Sequence, residues 1–267
     1  MPSLQRRFRI LQKLSGPAIQ KLLESPPLDV SIVDWLVVGI YDRYKRLEAS
    51  PMRFIETYVV PGTTVIDVGA HYGYFTTRIS KLTGTNGKVI AFEPNLRSQA
   101  VLRRRINRQQ LTNVRVLSFA AWSSSTTIRF ISDGPLGVTS HVLPADSREG
   151  LHVEGRSIDE IVRDDQGMRV SFIKIDVEGA EIDVLRGSHE TLLHHRPVVL
   201  CEIGSEYEIV STRHVDALFE LLDAVDYECR DVRTKAKLSG GDVRCSIDVL
   251  RYLDVLLCPR GSEDTSS

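Results

Sequence analysis

The sequence predicts an α/β protein built on a doubly wound, mostly parallel sheet with helices on both faces. Short apolar runs alternate with helical patterns between residues 64 and 225. A glycine-containing turn follows the first of these runs, and acidic residues end several others. Strands that alternate with helices form parallel sheets through right-handed βαβ units, which bind ligands at the carboxyl ends of their strands. The pattern therefore predicts both the fold and the edge that carries the chemistry.

Local signals bound the individual elements. A short helix at 52–59 ends at Pro61-Gly62, and the helix after the second strand begins just past Pro94. Strands are expected at 64–68, 89–92, 114–119, 170–175 and 197–203. Helices are expected at 74–82, 95–109, 181–193 and 213–225. An antiparallel pair is expected to close the sheet at 227–232 and 255–258.

Length and composition limit the class of protein. The chain has 267 residues and a formal net charge of −1, so no global positive field favours nucleic acid. The four cysteines form no C-x-x-C pair, which is typical of reduced thiols in a cytoplasmic protein. No apolar run reaches the ~18 residues of a membrane span, and no secretory segment follows the start. We expect a cytoplasmic protein with one large core.

Three regions are expected along the chain. They are an N-terminal helical cap at 1–50, the α/β domain at 51–260 and a disordered tail at 261–267. Within the cap, a helix at 34–47 would carry an apolar stripe. The first 23 residues are basic, carry no acid before Glu24, and place apolar residues at helical spacing. Such a helix can pack on the domain, join subunits of a homo-oligomer, or make peripheral contact with an anionic membrane.

Two stretches interrupt the alternation of strands and helices. Residues 123–151 are rich in Ser, Thr, Gly and Pro, and they are expected to hold two β pieces, such as 127–131, and a loop at 134–144. Residues 234–246 are expected to form a basic loop. Both stretches follow strands, where ligand-binding loops gather, so His141 is a candidate base on the substrate side.

The most informative segment joins the first strand to the next helix. It reads Val65-Ile66-Asp67-Val68-Gly69-Ala70-His71-Tyr72-Gly73-Tyr74-Phe75. A dinucleotide-binding loop reads G-x-G-x-x-G, but His71 stands where the second glycine would be. The loop therefore favours an adenosyl ligand with an amino-acid tail, above all S-adenosylmethionine. A tight strand-to-helix turn without a ligand is the structural alternative.

Cofactor contacts follow from the chemistry of that ligand. Backbone N–H groups at residues 70–74 would hold its carboxylate, and Asp67 would suit its ammonium group. Glu93 ends the second strand and offers two oxygens to ribose hydroxyls, or else only complements a helix dipole. The candidate cofactor residues of these segments are Asp67, Gly69, Ala70, His71, Gly73, Tyr74, Glu93, Pro94 and Asn95.

A second group of charged residues ends the fourth and fifth strands. Lys174, Asp176 and Glu178 follow one apolar run, and Glu202 ends the next. These four are the candidate catalytic residues, because reactants meet at the carboxyl edge of such a sheet. Asp176, Glu178 and Glu202 could also bind a divalent cation, but three acids are too few to predict a metal. Glu181 is interpreted as an acid of a first helical turn.

These segments resemble the FkbM family of S-adenosylmethionine-dependent methyltransferases. The likeness covers roughly residues 52–205 and is most specific at Ile173-Lys174-Ile175-Asp176-Val177-Glu178-Gly179-Ala180-Glu181. Other matching segments are 65–75, 89–94, 157–161, 172–185 with Gly187, and 196–202. The resemblance implies a seven-stranded sheet with a reversed last strand, and O-methylation of hydroxyls on sugars, glycolipids or polyketides.

The same resemblance assigns further cofactor residues. It implies that Ala120 and Ala121 flank the adenine, and Asp176 is counted with the cofactor residues as well. The family commonly has Asn where this chain has His71, so the resemblance does not assign the contacts to the methionine tail at this position.

The predicted reaction is in-line transfer of a methyl group to a hydroxyl oxygen, in which positioning supplies most of the rate. The hydroxyl loses its proton as the bond forms, so Asp176 or Glu178 is the expected base, with Lys174 and Glu202 shaping the site. The acceptor is expected to be a small molecule, glycan or glycolipid. A nicotinamide-dependent oxidoreductase and a non-catalytic cofactor-binding scaffold of the same fold are the alternatives.

Overall fold

The computed structural model describes residues 38–39, 42–43, 50–133, 139–143, 149–165, 167, 169–204, 212–250 and 252–261. Its strands are β1 Thr64–Val68, β2 Lys88–Phe92, β3 Val114–Leu117, β4 Ala120–Ala121, β5 Thr126–Asp133, β6 Thr139–Leu143, β7 Leu151–Arg156, β8 Val170–Ile175, β9 Val198–Gly204, β10 Tyr227–Asp231 and β11 Tyr252–Pro259. Its helices are α1 Ser50–Tyr58, α2 Tyr74–Thr83, α3 Leu96–Arg108, α4 Ile158–Arg163, α5 Glu181–Arg186, α6 His189–His195, α7 Thr212–Ala224 and α8 Gly240–Leu250.

Seven strands form the main sheet in the order β10-β11-β9-β8-β1-β2-β3. Strand β11 runs antiparallel to both of its neighbours, and the remaining pairs are parallel. The strand order reverses between β1 and β8, so the carboxyl ends of these two strands flank the switch point where such sheets bind ligands. The predicted doubly wound sheet with a reversed last strand is confirmed.

Apolar side chains alternate between the two faces of this sheet, as the period of a strand requires. On one face, Ile66 and Ile173 share a core with apolar residues of α4, α5, α6, α7 and α8. On the other face, Val65 and Phe172 share a core with α1, α2 and α3. Both faces are therefore covered by helices, which leaves the carboxyl edge of the sheet as the place for polar side chains.

A second sheet of four strands, in the order β4-β7-β5-β6, follows β3 along the chain. The β piece predicted at 127–131 lies within β5, whereas β7 was not predicted from the sequence. His141 lies on β6 opposite Ile131. The loop predicted at 134–144 is wrong at residues 139–143, which form β6, and its other residues lie outside the described ones. The side chain of His141 lies outside them too, so the role of His141 as a base stays a prediction.

The prediction of a single helix at 181–193 is wrong, because α5 ends at Arg186 and α6 begins at His189. The break has a tertiary cause. Asp159 accepts hydrogen bonds from the backbone N–H groups of Glu190 at 3.0 Å and Thr191 at 2.8 Å, which caps the start of α6. A side chain at Gly187 would also place its Cβ 1.9 Å from the carbonyl oxygen of Trp122. The second sheet therefore docks at this junction.

The prediction of a loop at 234–246 is wrong beyond residue 239, where α8 begins. Two glycines at the helix start suggested a loop. The carboxylate of Asp242 accepts the backbone N–H of Ser239 at 2.8 Å, and the Ser239 hydroxyl accepts the N–H of Asp242 at 3.3 Å. These reciprocal bonds satisfy donors that a helix start leaves open.

Part of the N-terminal region packs on the domain. Val38, Gly39, Asp42 and Arg43 are helical, at positions inside the helix predicted at 34–47. Val38 is buried with α1 and α2. Asp42 accepts two hydrogen bonds from the Arg105 guanidinium, at 2.8 and 3.0 Å.

Other predictions for the chain ends lie outside the described residues. They include the basic helix of the first 23 residues, with its membrane or subunit contacts, and the tail from residue 262. Within the described ranges, no helix is both long and apolar enough to cross a bilayer.

The contact at Gly187 can be tested by Gly187→Ala. The added methyl group meets the Trp122 backbone, which cannot move without displacing the second sheet. The free energy of unfolding should fall by about 1–3 kcal/mol, the usual cost of overpacking. Urea denaturation measures it. Gly39→Ala is the matched control, because a Cβ there meets nothing within 4 Å and the position is helical. Equal stability of Gly187→Ala and the parent would contradict the assignment.

Candidate active site

Polar residues from neighbouring strands meet at the carboxyl edge of the main sheet. Asp67 of β1 pairs in register with Lys174 of β8. One step further on, the N–H of Asp176 still donates to the carbonyl of Val68 at 3.2 Å, so the ladder continues past the strand end. Glu202 of β9 pairs with Asp254 of β11. The register therefore brings acids from four adjacent strand ends to one edge.

Contacts within the protein explain why residues 69 and 73 are glycines. Gly69 has φ 75°, and a Cβ there would lie 2.0 Å from the carbonyl oxygen of Asp176. Gly73 has φ 78°, and a Cβ there would lie 2.4 Å from Leu102 Cδ1. Positive φ and close packing both favour glycine. The glycines thus close the loop against β8 and α3. Within the loop, the N–H groups of Gly69 and Ala70 donate to the Phe92 carbonyl and that of Gly73 donates to the Ala70 carbonyl.

Glu93 is buried, and from the end of β2 it contacts the loop between β1 and α2. Its carboxylate accepts the backbone N–H of His71 at 2.7 Å and that of Asn95 at 2.8 Å. The bond to His71 fixes a residue with φ 49°, in the left-handed region. Burial raises the pKa of Glu93 to about 7, against the effect of these two bonds. A carboxylate has about four acceptor positions, so two remain for hydroxyl groups.

Asp67 is fully buried at the end of β1. Its Oδ2 accepts a hydrogen bond from the Thr76 hydroxyl at 2.6 Å. Its Oδ1 makes no hydrogen bond to a described residue, and the nearest cation, Lys174 Nζ, is 3.7 Å away. Burial raises the pKa of Asp67, and the Lys174 charge opposes that rise. A buried oxygen in this state is suited to a ligand that brings an N–H donor.

Lys174 is 3% exposed and lies between two carboxylates. Its Nζ lies 3.3 Å from Asp176 Oδ2 and 3.7 Å from Asp67 Oδ1. It also lies 4.9 Å from the centre of the Phe75 ring. Buried charges are stable only when they are paired, and this ammonium has two partners.

The predicted catalytic acids come together at this edge. Within the described residues, one carboxylate oxygen from each of Asp176, Glu178 and Glu202 lies within 4.8 Å of the others. All three side chains are half-buried. Such a set can hold a divalent cation, since carboxylate oxygens are the ligands that Mg²⁺ and Ca²⁺ use. It can equally accept hydrogen bonds from several hydroxyl groups of one substrate.

Glu181 lies in the first turn of α5, as interpreted from the sequence, and it is also buried. Its carboxylate accepts the N–H of Gly179 at 2.8 Å. Burial raises the pKa of Glu181 to about 8, and the charges of Glu178 and Asp176 add to the rise. A protonated Glu181 adds no negative charge to the edge.

Asp254 was missed by the sequence analysis. It lies opposite Glu202, and directly opposed side chains on neighbouring strands share one face of the sheet. The available signal was an acid inside an apolar run that begins at Tyr252. The strand predicted at 255–258 began too late to include it, whereas β11 begins at Tyr252.

The remaining predicted positions lie around this edge. Tyr74 is the buried first residue of α2, and its ring carries the Arg78 guanidinium 3.6 Å from its centre. Asn95 caps α3 through hydrogen bonds from the N–H groups of Arg97 and Ser98. The segment of β4, Ala120–Ala121, is buried just after β3. Ala70 is buried, and Pro94 is half-buried between Glu93 and Asn95.

The sequence model of the methyltransferase FkbM domain matches residues 67–229, which is more than half of the chain. The chain belongs to the FkbM family of methyltransferases. Membership confirms the resemblance and S-adenosylmethionine as the cofactor. It favours methyl transfer over the nicotinamide-dependent alternative. The match includes residues 69–73, the cofactor loop between β1 and α2, together with Glu93 and the acids up to Glu202. The FkbM domain therefore contains most of the polar edge of the sheet.

Two curated proteins are similar to this FkbM chain. Methyltransferase sdnD of Sordaria araneosa is 29% identical over 157 residues, which cover 47% of this chain and 60% of that protein. AMB antimetabolite synthetase AmbE of Pseudomonas aeruginosa is 25% identical over 218 residues, which cover 68% of this chain and 10% of the synthetase. The chain thus spans less than two-thirds of the length of either relative.

Solved structures show similarity at lower identity. Methyltransferase FkbM from Methylobacillus flagellatus KT aligns with a TM-score of 0.48 and 18% identity, over 91% of this chain and 58% of that chain. Aeropyrum pernix fibrillarin, solved with natively bound S-adenosyl-L-methionine, aligns with a TM-score of 0.43 and 13% identity, over 75% of this chain and 68% of that chain.

The raised pKa of Glu181 predicts how the stability of the FkbM domain depends on pH. The folded state keeps this proton between the ordinary pKa and about 8, where the unfolded chain has lost it. The free energy of unfolding therefore falls as the pH rises through that range. Glu181→Gln removes this pH-dependent loss of stability. The free energy of unfolding of the variant should therefore exceed that of the parent by about 1–3 kcal/mol near pH 8.5 and equal it near pH 5.

Urea denaturation across this pH range measures the effect. The control is Glu56→Gln, which alters an exposed glutamate of α1 and should leave the pH dependence of the parent unchanged. Parallel stability profiles for Glu181→Gln and the parent would show that Glu181 is ionised in the folded state at neutral pH.

Proposed function

We propose that this protein transfers a methyl group from S-adenosylmethionine to a hydroxyl group of a sugar, glycolipid or polyketide-type acceptor. The observation that carries the proposal is the meeting of Asp176, Glu178 and Glu202 within 4.8 Å beside the cofactor loop. Carboxylates suit an alcohol acceptor, because they accept its hydrogen bonds and can take its proton. The antimetabolite synthetase among the relatives supports a small-molecule acceptor by its name.

The residues around the loop fit S-adenosylmethionine. Asp67 Oδ1, which accepts no hydrogen bond from a described residue, suits the ammonium of its tail, and the N–H groups at the start of α2 suit its carboxylate. Glu93 retains acceptor positions for the ribose, and Ala120 and Ala121 offer an apolar surface to the adenine. When bound, the cofactor supplies a methyl group activated by a sulfonium.

Asp176 and Glu178 are the proposed bases. Asp176 Oδ2 lies 3.3 Å from Lys174 Nζ, which holds this carboxylate at the edge where the acids meet. Glu178 has φ 52°, a costly backbone conformation that the fold maintains at this edge. In both cases the side chain stays half-buried, so it can reach a substrate while little water competes for it.

Acid-to-amide variants test the bases. Asp176→Asn and Glu178→Gln keep the side-chain shape and remove the negative charge. The variant that lacks the base should lose roughly 10²–10⁴-fold in kcat at saturating cofactor, because general-base catalysis contributes that much. The measurement is the mass gain of one methyl group on candidate acceptors. The control is Glu220→Gln, an exposed position of α7.

The outcomes of this experiment separate three possibilities. Parent rates in both variants would show that neither residue is the base. A parent that binds cofactor but methylates no sugar, glycolipid or polyketide would favour the non-catalytic scaffold. Methylation of a nitrogen or carbon atom instead would correct the proposed class of acceptor.

Glu202 and Asp254 are proposed to bind the acceptor, because they lie side by side further from the cofactor loop. Glu202→Gln and Asp254→Asn should each raise the acceptor KM about tenfold with a smaller change in kcat, since each removes a hydrogen bond to a charged group. Steady-state kinetics at fixed cofactor measures this, with Asp248→Asn, exposed on α8, as the control. An unchanged KM in both variants would remove these residues from the acceptor site.

A further inference from the structure

The buried ammonium of Lys174 bridges the two halves of the site. Asp67 lies at the end of β1, just before the cofactor loop, and Asp176 belongs to the acid group on the acceptor side. Lys174 Nζ lies 3.7 Å from an oxygen of the first and 3.3 Å from an oxygen of the second. The side chain is only 4% exposed, so water screens neither interaction effectively.

The two contacts of this ammonium are unequal. Asp176 lies within hydrogen-bond distance of Nζ, whereas Asp67 Oδ1 lies beyond it and makes no hydrogen bond to a described residue. The other oxygen of Asp67 is held by Thr76 at 2.6 Å, so the carboxylate cannot easily rotate toward Lys174. Asp67 thus has one oxygen fixed by the fold and one left for a further donor.

The ammonium of the cofactor tail is that donor under the proposed function, on which this inference rests. A second cation beside Asp67 repels Lys174, because like charges at close range are unfavourable in a buried site. Lys174 can relieve this repulsion only toward Asp176, its other carboxylate partner. We propose that Lys174 is a positioning residue that couples occupation of the cofactor-tail site to the placement of Asp176.

The coupling has a consequence for the order of events. Without cofactor, the Lys174 ammonium interacts with the carboxylates of both Asp67 and Asp176. With the tail ammonium on Asp67, Lys174 holds the Asp176 side chain more strongly and in one orientation. The acceptor therefore meets an oriented base only after the methyl donor is in place, and by linkage Asp176 also affects how tightly the tail binds.

A double-mutant cycle on ligand affinity tests the coupling without an acceptor. The four proteins are the parent, Asp176→Asn, Lys174→Met and the double variant. The ligands are S-adenosylhomocysteine, which has the tail ammonium, and 5′-methylthioadenosine, which lacks the tail. Isothermal titration calorimetry gives Kd for each pair. Residues in contact show non-additive effects, and the cycle isolates that part.

Asp176→Asn leaves Lys174 with Asp67 as its only carboxylate partner among the described residues, so Lys174 competes with the tail ammonium. This variant should weaken S-adenosylhomocysteine about fivefold or more, a typical coupling between sites. In the Lys174→Met background the same change should alter Kd less than about twofold. Affinity for 5′-methylthioadenosine should be the same with and without Asp176→Asn.

Two further variants keep the test decisive. Lys174→Arg retains the charge and should retain most of the coupling, and with the single Asp176→Asn variant it suffices if Lys174→Met does not fold. Lys88→Met is the matched control, since Lys88 pairs with Asp165 away from this edge. Additive effects in the cycle, or equal weakening of both ligands by Asp176→Asn, would overturn the proposal.

Failure of the inference is distinguishable from failure of the proposed function. Asp67→Asn reports on the tail site itself: if it weakens both ligands equally, the tail does not bind there and the proposed cofactor contacts are wrong. If it weakens the affinity for S-adenosylhomocysteine alone while the cycle is additive, the tail binds at Asp67 but Lys174 does not couple this site to Asp176.

Discussion

The close contact between the ends of β1 and β8 is the constraint on which the site depends. Gly69 packs so tightly against the Asp176 carbonyl that a Cβ would lie 2.0 Å from its oxygen. The hydrogen bond from Asp176 to Val68 continues the ladder across the same contact. Any side chain at residue 69 would force the strand ends apart. The separation of Asp67 from Lys174, and of the cofactor loop from the acids, follows from this one packing requirement.

The burial of the carboxyl groups at this edge costs free energy, and the same burial makes them suited to binding a ligand. Burial raises the pKa values of Asp67, Glu93 and Glu181, which means that their charged forms are unfavourable in the folded protein. The fold offsets the cost with fixed donors, such as the N–H groups that contact Glu93 and the hydroxyl that contacts Asp67. Groups that are held before a ligand arrives need no reorganisation when it binds.

Local patterns predicted the main sheet and most of the charged residues that the structure brings together at its carboxyl edge. Asp67, Glu93 and Asp176 were named because each lies at the end of an apolar run, and the ends of apolar runs are visible in the sequence. Asp254 was not found, because the strand predicted at 255–258 began too late and its register partner Glu202 lies on a strand distant in sequence. The break between α5 and α6 was missed for a similar reason, since the groups that contact this junction, Asp159 and the Trp122 backbone, are distant from it in sequence. Register and packing between distant segments are what a single sequence does not display.

Some of the segments that resemble the family stabilise the fold, and others place charged side chains at the carboxyl edge of the sheet. Ser157 and Glu160 cap each other at the start of α4, and Asp159 caps α6, so the segment 157–161 has a structural explanation. The loop glycines also have a structural explanation, because a Cβ at either position would lie too close to Asp176 or Leu102. The charged residues are different, because an apolar side chain would suit a strand end at lower cost than Lys174 with its two carboxylate partners, or than the group of Asp176, Glu178 and Glu202. These charged residues therefore indicate catalysis more strongly than the glycine loop does.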